Sequence, residues 1–505
     1  MSRALLLRNA RIGGGSDIGD VLTVDGVVRS IGAPLDGSAV AVLTGPDAVV
    51  EDLDLDGRTV LPGFWDHHVH FDQWSLSRRW IDLTSAHDPE SAVELVRAAI
   101  PPDVPEHGLP LVGYGWTDGL WTRPPHRTLL DALDTPAGLA VVLVSNDLHA
   151  AWLNAAALRR YGLPPDGDGV VREEAWFPIM ADIRSVPSSL MDRWADDAAR
   201  AAATRGVVGI VDFETADNLA AWTRRIVGGS RSLRISAAVW PEHLEAAIAR
   251  GLRTSDPVPG TDGLLRLGPL KVITDGSLNT RTAFCHDPYP NSENSEHPFG
   301  MLVVPSERLV PLMARAHGCG IASAIHAIGD HANALVLDAF AETGARGVIE
   351  HAQLLARSDF ERFAALGVGA SVQPEHAMDD RDVADRHWAG RTDRAFAYGD
   401  LHRAGARLTL GSDAPVAPLD PLVTLAAAIS RSRDGRPAWH PDQEIGRDVA
   451  LAASTGTGRA RPGEGDQADL VILDVDVATA DAETIRTAPV AGTVLAGRWT
   501  HRSGL

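Results

Sequence analysis

Lysine is all but missing from this chain: of its 46 Lys and Arg residues, only Lys271 is a lysine. That excludes the lysine-rich tracts that grip nucleic acid or acidic membrane, and a net charge of −21 excludes both as general partners. Cysteine is nearly as scarce. Cys285 and Cys319 are the only two, too few for a disulfide framework, and they fit a reducing compartment. No apolar run approaches the roughly 18 residues of a membrane span. The apolar patch in "MSRALLLRNARIGGG" is also shorter than the about 7–15 residues of a signal-peptide core. The expectation is a cytoplasmic protein without membrane partners. What is present, 45% hydrophobic and 22% charged residues, is the make-up of an ordinary globular chain. Its length of 505 residues calls for more than one structural unit.

Both ends alternate apolar and polar residues in short runs punctuated by Gly and Asp. "LLLRNARI" and "VLTVDGVVRSIG" lie near the start, "ADLVILDVD" and "VAGTVLAGRWTH" near the finish. They predict one small β-sandwich domain assembled from residues 1–58 and 462–505. Between them, eight short apolar runs alternate with Ala/Arg/Leu/Glu-rich helical segments. The runs are "TVLPGFWDHHVHF", "VVGIVDFE", "RISAAVW", "LLRLGPLKVIT", "GIASAIHAI", "GVIEHAQ", "VGASVQP" and "RLTLGSDAPV". Eight strand–helix units over 59–461 predict an α/β fold, a (β/α)8 TIM barrel. The gap after the first run, about residues 72–200, is too long for one helix and must hold an insertion of short strands and helices.

Barrel enzymes place their chemistry at the C-terminal ends of strands. Those ends carry His68 and His70, then Lys271, His326, His351 and Asp413. In "DHHVH" the two outer histidines are two apart on one strand, so both point the same way and can chelate one metal. His67 is then expected on the opposite face, in a supporting or structural role. A lone H-x-H is more often a hydrogen-bonded core pair, and a lone Asp after a strand is more often a helix N-cap. Three further His/Asp positions at other strand ends shift the balance toward a metal site.

A lysine cation among such ligands would repel the metal. Burial disfavours the ammonium form, and the neutral amine can add CO2 to give an anionic carbamate with two oxygens, able to bridge two ions. Arginine, always protonated, cannot. The expectation is a carbamylated Lys271 at a site of one or two divalent ions, most simply zinc. A neutral lysine beside a single metal remains the competing reading, and imidazole and carboxylate ligands also suit Fe, Ni or Mn.

With these ligands the chain resembles the amidohydrolase superfamily, and closely resembles its YtcJ-like branch, which includes N-substituted formamide deformylase. The phrases that carry the likeness are "LPGFWDHHVHF", "NDLHAAWLNAAAL", "KVITDGSLNTRTA", "HAIGDHAN", "VIEHAQ", "SVQPEHA" and "GSDAPVAPLDP". The resemblance implies that His68, His70, His326 and His351 bind divalent metal, that Lys271 bridges, and that Asp413 is both metal contact and general base. It implies hydrolysis of a C–N bond by metal-activated hydroxide, with Asp413 passing the proton to the leaving amine. Asn279-Thr280 departs from the small Gly-Ser pair common in the branch, and Glu173 matches another acidic position of it. Asp275, Arg281, Gln373, His376 and His149 are candidate substrate contacts.

Five tryptophans, Trp65, Trp74, Trp80, Trp116 and Trp121, fit a packed core or an aromatic mouth for an N-substituent. A lactone or ester hydrolase shares the same metal chemistry. A deaminase ranks lower because "HAIGDHAN" lacks a nearby Glu, and a non-catalytic scaffold would not have kept the ligands. The expected partner is a small molecule, and a homodimer is the default assembly.

Overall fold

The computed structural model describes residues 2–45, 47–118, 121–146, 150–164, 166–292 and 294–505, without the side chains of Glu173 and Phe177. The chain divides into two compact units, one of residues 1–71 with 196–505, the other of residues 72–195.

The first unit contains the barrel. Its eight strands are Phe64–Val69, Val207–Asp212, Arg234–Val239, Leu265–Ile273, Ser323–Ala327, Gly347–His351, Gly369–Val372 and Leu408–Leu410. They follow one another in chain order in a single sheet, every pairing parallel. Strands buried on both faces need no polar alternation, so seven of the eight apolar runs become one strand each, while the first, "TVLPGFWDHHVHF", divides into Thr59–Pro62 of the terminal sheet and Phe64–Val69 of the barrel. The eighth closes on the first beyond its own end, where the Asp413 N–H donates to the His68 carbonyl at 2.7 Å and the His70 N–H to the Ala414 carbonyl at 2.9 Å. The helices between strands carry readable stops: Gly344 and Gly367 adopt the left-handed conformation after Asp330–Thr343 and Phe360–Leu366.

Two local breaks in strand periodicity matter for the site. Asp66 pairs with Ile210 and Val69 with Asp212, so His67 and His68 together stand opposite the single residue Val211. This is a β-bulge, and it ends the simple alternation of faces. In the sixth strand His351 (φ 72°) and Ala352 (φ 42°) are both left-handed, which turns the chain out of the sheet at His351.

Both chain ends contribute to one eight-stranded sheet, the expected terminal β domain. Thr59–Pro62 is the seam, pairing parallel with Arg3–Ile12 and antiparallel with Leu470–Leu473. Leu5, Leu7, Val21, Val28, Val60, Leu470, Ile472 and Val494 form its main core. Within the first unit this sheet is tied to the barrel by Arg234, whose Nε and Nη2 donate to Asp469 at 2.5 and 3.0 Å.

The second unit, which falls in the expected insertion, is built on five strands: Ile81–Asp82, Leu111–Trp116, Val141–Ser145, Ala150–Leu153 and Val170–Arg172. Its sheet is parallel over the first three and antiparallel over the rest. Trp116 and Trp152 fill one core, Trp176 another. Trp116 also donates to the Leu143 carbonyl at 2.8 Å, and Trp80 and Trp121 pack against these cores. For these three tryptophans the packing reading holds. Among the described residues no helix is long and apolar enough to cross a membrane.

Candidate metal centre

At the C-terminal end of the barrel strands, His68, His351 and Asp413 bring one ligand atom each to within 4.8 Å of one another. His70 joins them, with its Nε2 at 3.5 Å from Asp413 Oδ1, against 3.6 Å for His68 Nε2. His326 stacks edge-on to His351 with ring centres 4.5 Å apart. Lys271 Nζ lies over the Phe213 ring at 4.4 Å, and the same ring lies 4.5 Å from that of His68. His68, His70, Lys271, His326, His351 and Asp413 therefore converge from strands one, four, five, six and eight or the loops just beyond them.

Three of the four imidazoles are oriented by the atom they do not offer to the centre. His68 Nδ1 is 2.6 Å from Glu350 Oε2; the carboxylate accepts, so the lone pair is left on Nε2. Gln373 Oε1 accepts in the same way from His351 Nδ1 at 2.8 Å. His326 Nε2 faces two acceptors, the Gly276 carbonyl at 3.3 Å and Asp275 Oδ1 at 3.4 Å, which leaves the lone pair on Nδ1. Such outer partners fix the tautomer of metal-binding histidines. Asp66 holds the scaffold, its Oδ1 accepting from the backbone N–H groups of His68 at 3.1 Å and Ser412 at 2.9 Å.

The electrostatics suit a bound cation. Burial holds His68 and His351 well below the ordinary imidazole range and His70 at about 4, and Lys271 lowers all three further. They are neutral at pH 7 and carry free lone pairs. Burial pushes the carboxyls of Glu350 and Asp413 up and the Lys271 amine down. Among the described residues, Lys271 Nζ, His70 Nδ1 and His376 Nε2 are buried polar atoms without a hydrogen-bond partner. Buried polar atoms ordinarily find partners. Neutral imidazoles, a carboxylate and an orphaned amine around one point fit a divalent metal, with N/O donors of the kind zinc accepts.

The remaining expected contacts separate. His376 lies beside the centre, its Nε2 3.8 Å from Asp413 Oδ2, and burial lowers it to about 4. Gln373, expected to read the substrate, is instead committed to His351. Asp275 is likewise taken up by its own chain: Oδ1 accepts from the Ile328 N–H, and Oδ2 from those of Phe284 and Gly329. Arg281 is exposed in a left-handed turn (φ 58°). Asn279 reaches across to Asp380, donating to Oδ1 at 2.7 Å. His149 and the Glu173 side chain lie outside the described residues. His67, expected on the face away from His68 and His70, lines a cavity lower in the barrel that Trp65 also lines, and neither faces the metal end. Glu350, the partner of His68, was missed. Its signal was a glutamate inside an apolar strand, in "GVIEHAQ".

The profile of the amidohydrolase family matches residues 51–501. The chain is 27% identical over 491 residues to the putative amidohydrolase YtcJ of Bacillus subtilis, covering 89% of this chain and 90% of that protein. It is 24% identical over 518 residues to N-substituted formamide deformylase of Arthrobacter pascens, covering 92% of each. The fold superposes on an uncharacterized metal-dependent hydrolase of Pyrococcus horikoshii OT3 with a TM-score of 0.79 and 26% identity, over 95% of this chain and 99% of that one.

Proposed function

We propose, from the premise that this chain belongs to the amidohydrolase family and is a metal-dependent hydrolase, that it cleaves the C–N bond of a small-molecule amide, with an N-formyl or cyclic amide as the finer reading. The observation that carries this is the position of Asp413: Oδ1 lies at 3.5–3.6 Å from the Nε2 atoms of His70 and His68, while Oδ2 faces His376 at 3.8 Å. One oxygen sits with the ligands and the other turns toward a neutral side chain beside them.

His68, His70, His326, His351 and Asp413 would hold the metal, which when bound polarises a carbonyl and makes water more acidic. Asp413 takes a proton from water as its oxygen bonds to the carbonyl carbon. It returns that proton to the amide nitrogen as the C–N bond breaks, giving a carboxylic acid and an amine. His376 lies where a substrate carbonyl or amide could meet its free Nε2. Gln373 and Glu350 keep His351 and His68 turned toward the centre.

Zinc is the metal we favour. Lys271 supports a carbamate: its amine is buried, without a partner, and biased toward the neutral form that adds CO2 with loss of one proton. The free thiols of Cys285 and Cys319 support a cytoplasmic setting.

The test is hydrolysis of N-benzylformamide, a lactam and benzyl formate by wild type and Asp413→Asn, with metal content measured alongside. Amide turnover that falls about 10²–10⁴-fold in the variant is expected. Turnover of the ester alone would overturn the C–N assignment.

A further inference from the structure

The barrel has a second chamber. Below the metal centre, where the strands begin, a cavity of about 400 Å³ opens between the barrel and the terminal sheet. That is within the roughly 300–1,000 Å³ of small-molecule sites. One apolar layer separates it from the metal ligands: Val211 lines the cavity and packs with Phe213, Ala238 and Ala324, and Phe213 touches His68 and Lys271 on its other side.

Its charges are unequal. Asp469 is matched by Arg234 and also accepts from the Ala496 N–H. Asp466 is matched by Arg459 and by the Gly463 N–H. Arg266 has no such counterpart: among the described residues no carboxylate pairs with it, and its one acceptor is the Ser255 carbonyl at 3.5 Å. His67 contributes a buried Nε2 without a hydrogen-bond partner. Trp65, Pro62 and Leu470 supply apolar wall, and Ser236 a hydroxyl.

We propose that this chamber binds a small organic carboxylate with a flat apolar body: the anion on Arg266, one hydrogen bond to His67 Nε2, and the body against Trp65. One unpaired guanidinium suits a single negative charge, and the neighbouring carboxylates of Asp466 and Asp469 disfavour a dianion such as phosphate. A charge-assisted hydrogen bond is worth about tenfold or more in affinity.

Titration calorimetry of the metal-loaded enzyme with benzoate tests this, with benzyl alcohol as the neutral probe. Benzoate should bind more tightly than benzyl alcohol. Arg266→Gln should weaken benzoate at least tenfold, Ser236→Leu should block both probes, and His376→Ala should leave benzoate unchanged. Should Ser236→Leu fail to fold, Arg266→Gln carries the test alone. Benzoate affinity unmoved by Arg266→Gln, absent altogether, or lost in His376→Ala would overturn the proposal; the last result would place the anion at the metal end instead.

Discussion

Glu350 Oε2 and His68 Nδ1 meet at 2.6 Å inside the barrel, both side chains almost wholly removed from solvent. The contact joins the sixth strand to the first and settles which nitrogen of His68 faces the centre. Glu350→Gln keeps the shape and removes the charge. Metal affinity should fall about 10–100-fold, the usual effect of losing such a partner, with the circular dichroism spectrum unchanged. Competition with a chromogenic chelator measures it; unchanged affinity would make Glu350 a packing residue.

Lys271 gives the next prediction. Metal content by plasma mass spectrometry should be about two ions per chain in wild type and lower in both Lys271→Ala and Lys271→Arg. Arginine fails because it stays protonated and cannot add CO2. Equal metal content in all three proteins would remove the lysine from the ligand set.

Asp380 offers a pH test away from the ligands. Burial raises its carboxyl to about 6, opposed by the hydrogen bond from Asn279. The folded state therefore prefers the protonated acid. Its favourable contribution is fully present below the unfolded value near 3.8 and is lost as pH rises through about 6. Asp380→Asn should accordingly be more stable than wild type at pH 8, by about 1–2 kcal/mol, and the difference should shrink toward pH 5. Urea unfolding at the two pH values reads it out; a gain of equal size at both would refute the buried-acid explanation.

The link between barrel and terminal sheet should be costly to break on one side only. Arg234 and Asp469 are 9% and 13% exposed at their side chains. Arg234→Leu strips Asp469 of its charge partner and should destabilise by about 3 kcal/mol, as for other nearly buried pairs. The unfolding midpoint in urea checks this, and the double variant with Asp469→Leu should recover part of the loss.

Much of the architecture was legible because buried parallel strands announce themselves as unbroken apolar runs. The eighth strand is only Leu408–Leu410, yet "RLTLGSDAPV" marked it. The histidines were legible because each follows such a run. The orienting shell was not. Strand periodicity sends Glu350 and His351 to opposite faces, and only the left-handed φ of His351, which no residue type signals, lets both serve one centre. Gln373 carries a polar side chain at a strand end, as a substrate contact would, and nothing in its sequence context distinguishes that from a clamp on His351. The bulge at His67 was invisible for the same reason.

Adjacent residues at that bulge have separate addresses. His67 faces the lower chamber and His68 the metal, though one peptide bond joins them. Substitution at 67 can thus be tuned to whatever fills the chamber while 68 stays fixed by its chemistry. Loss of a single residue here would do the opposite, shifting the following ligand pair by one place and costing the centre both histidines at once. Over evolutionary time this stretch should accept exchange at one position and refuse any change in length.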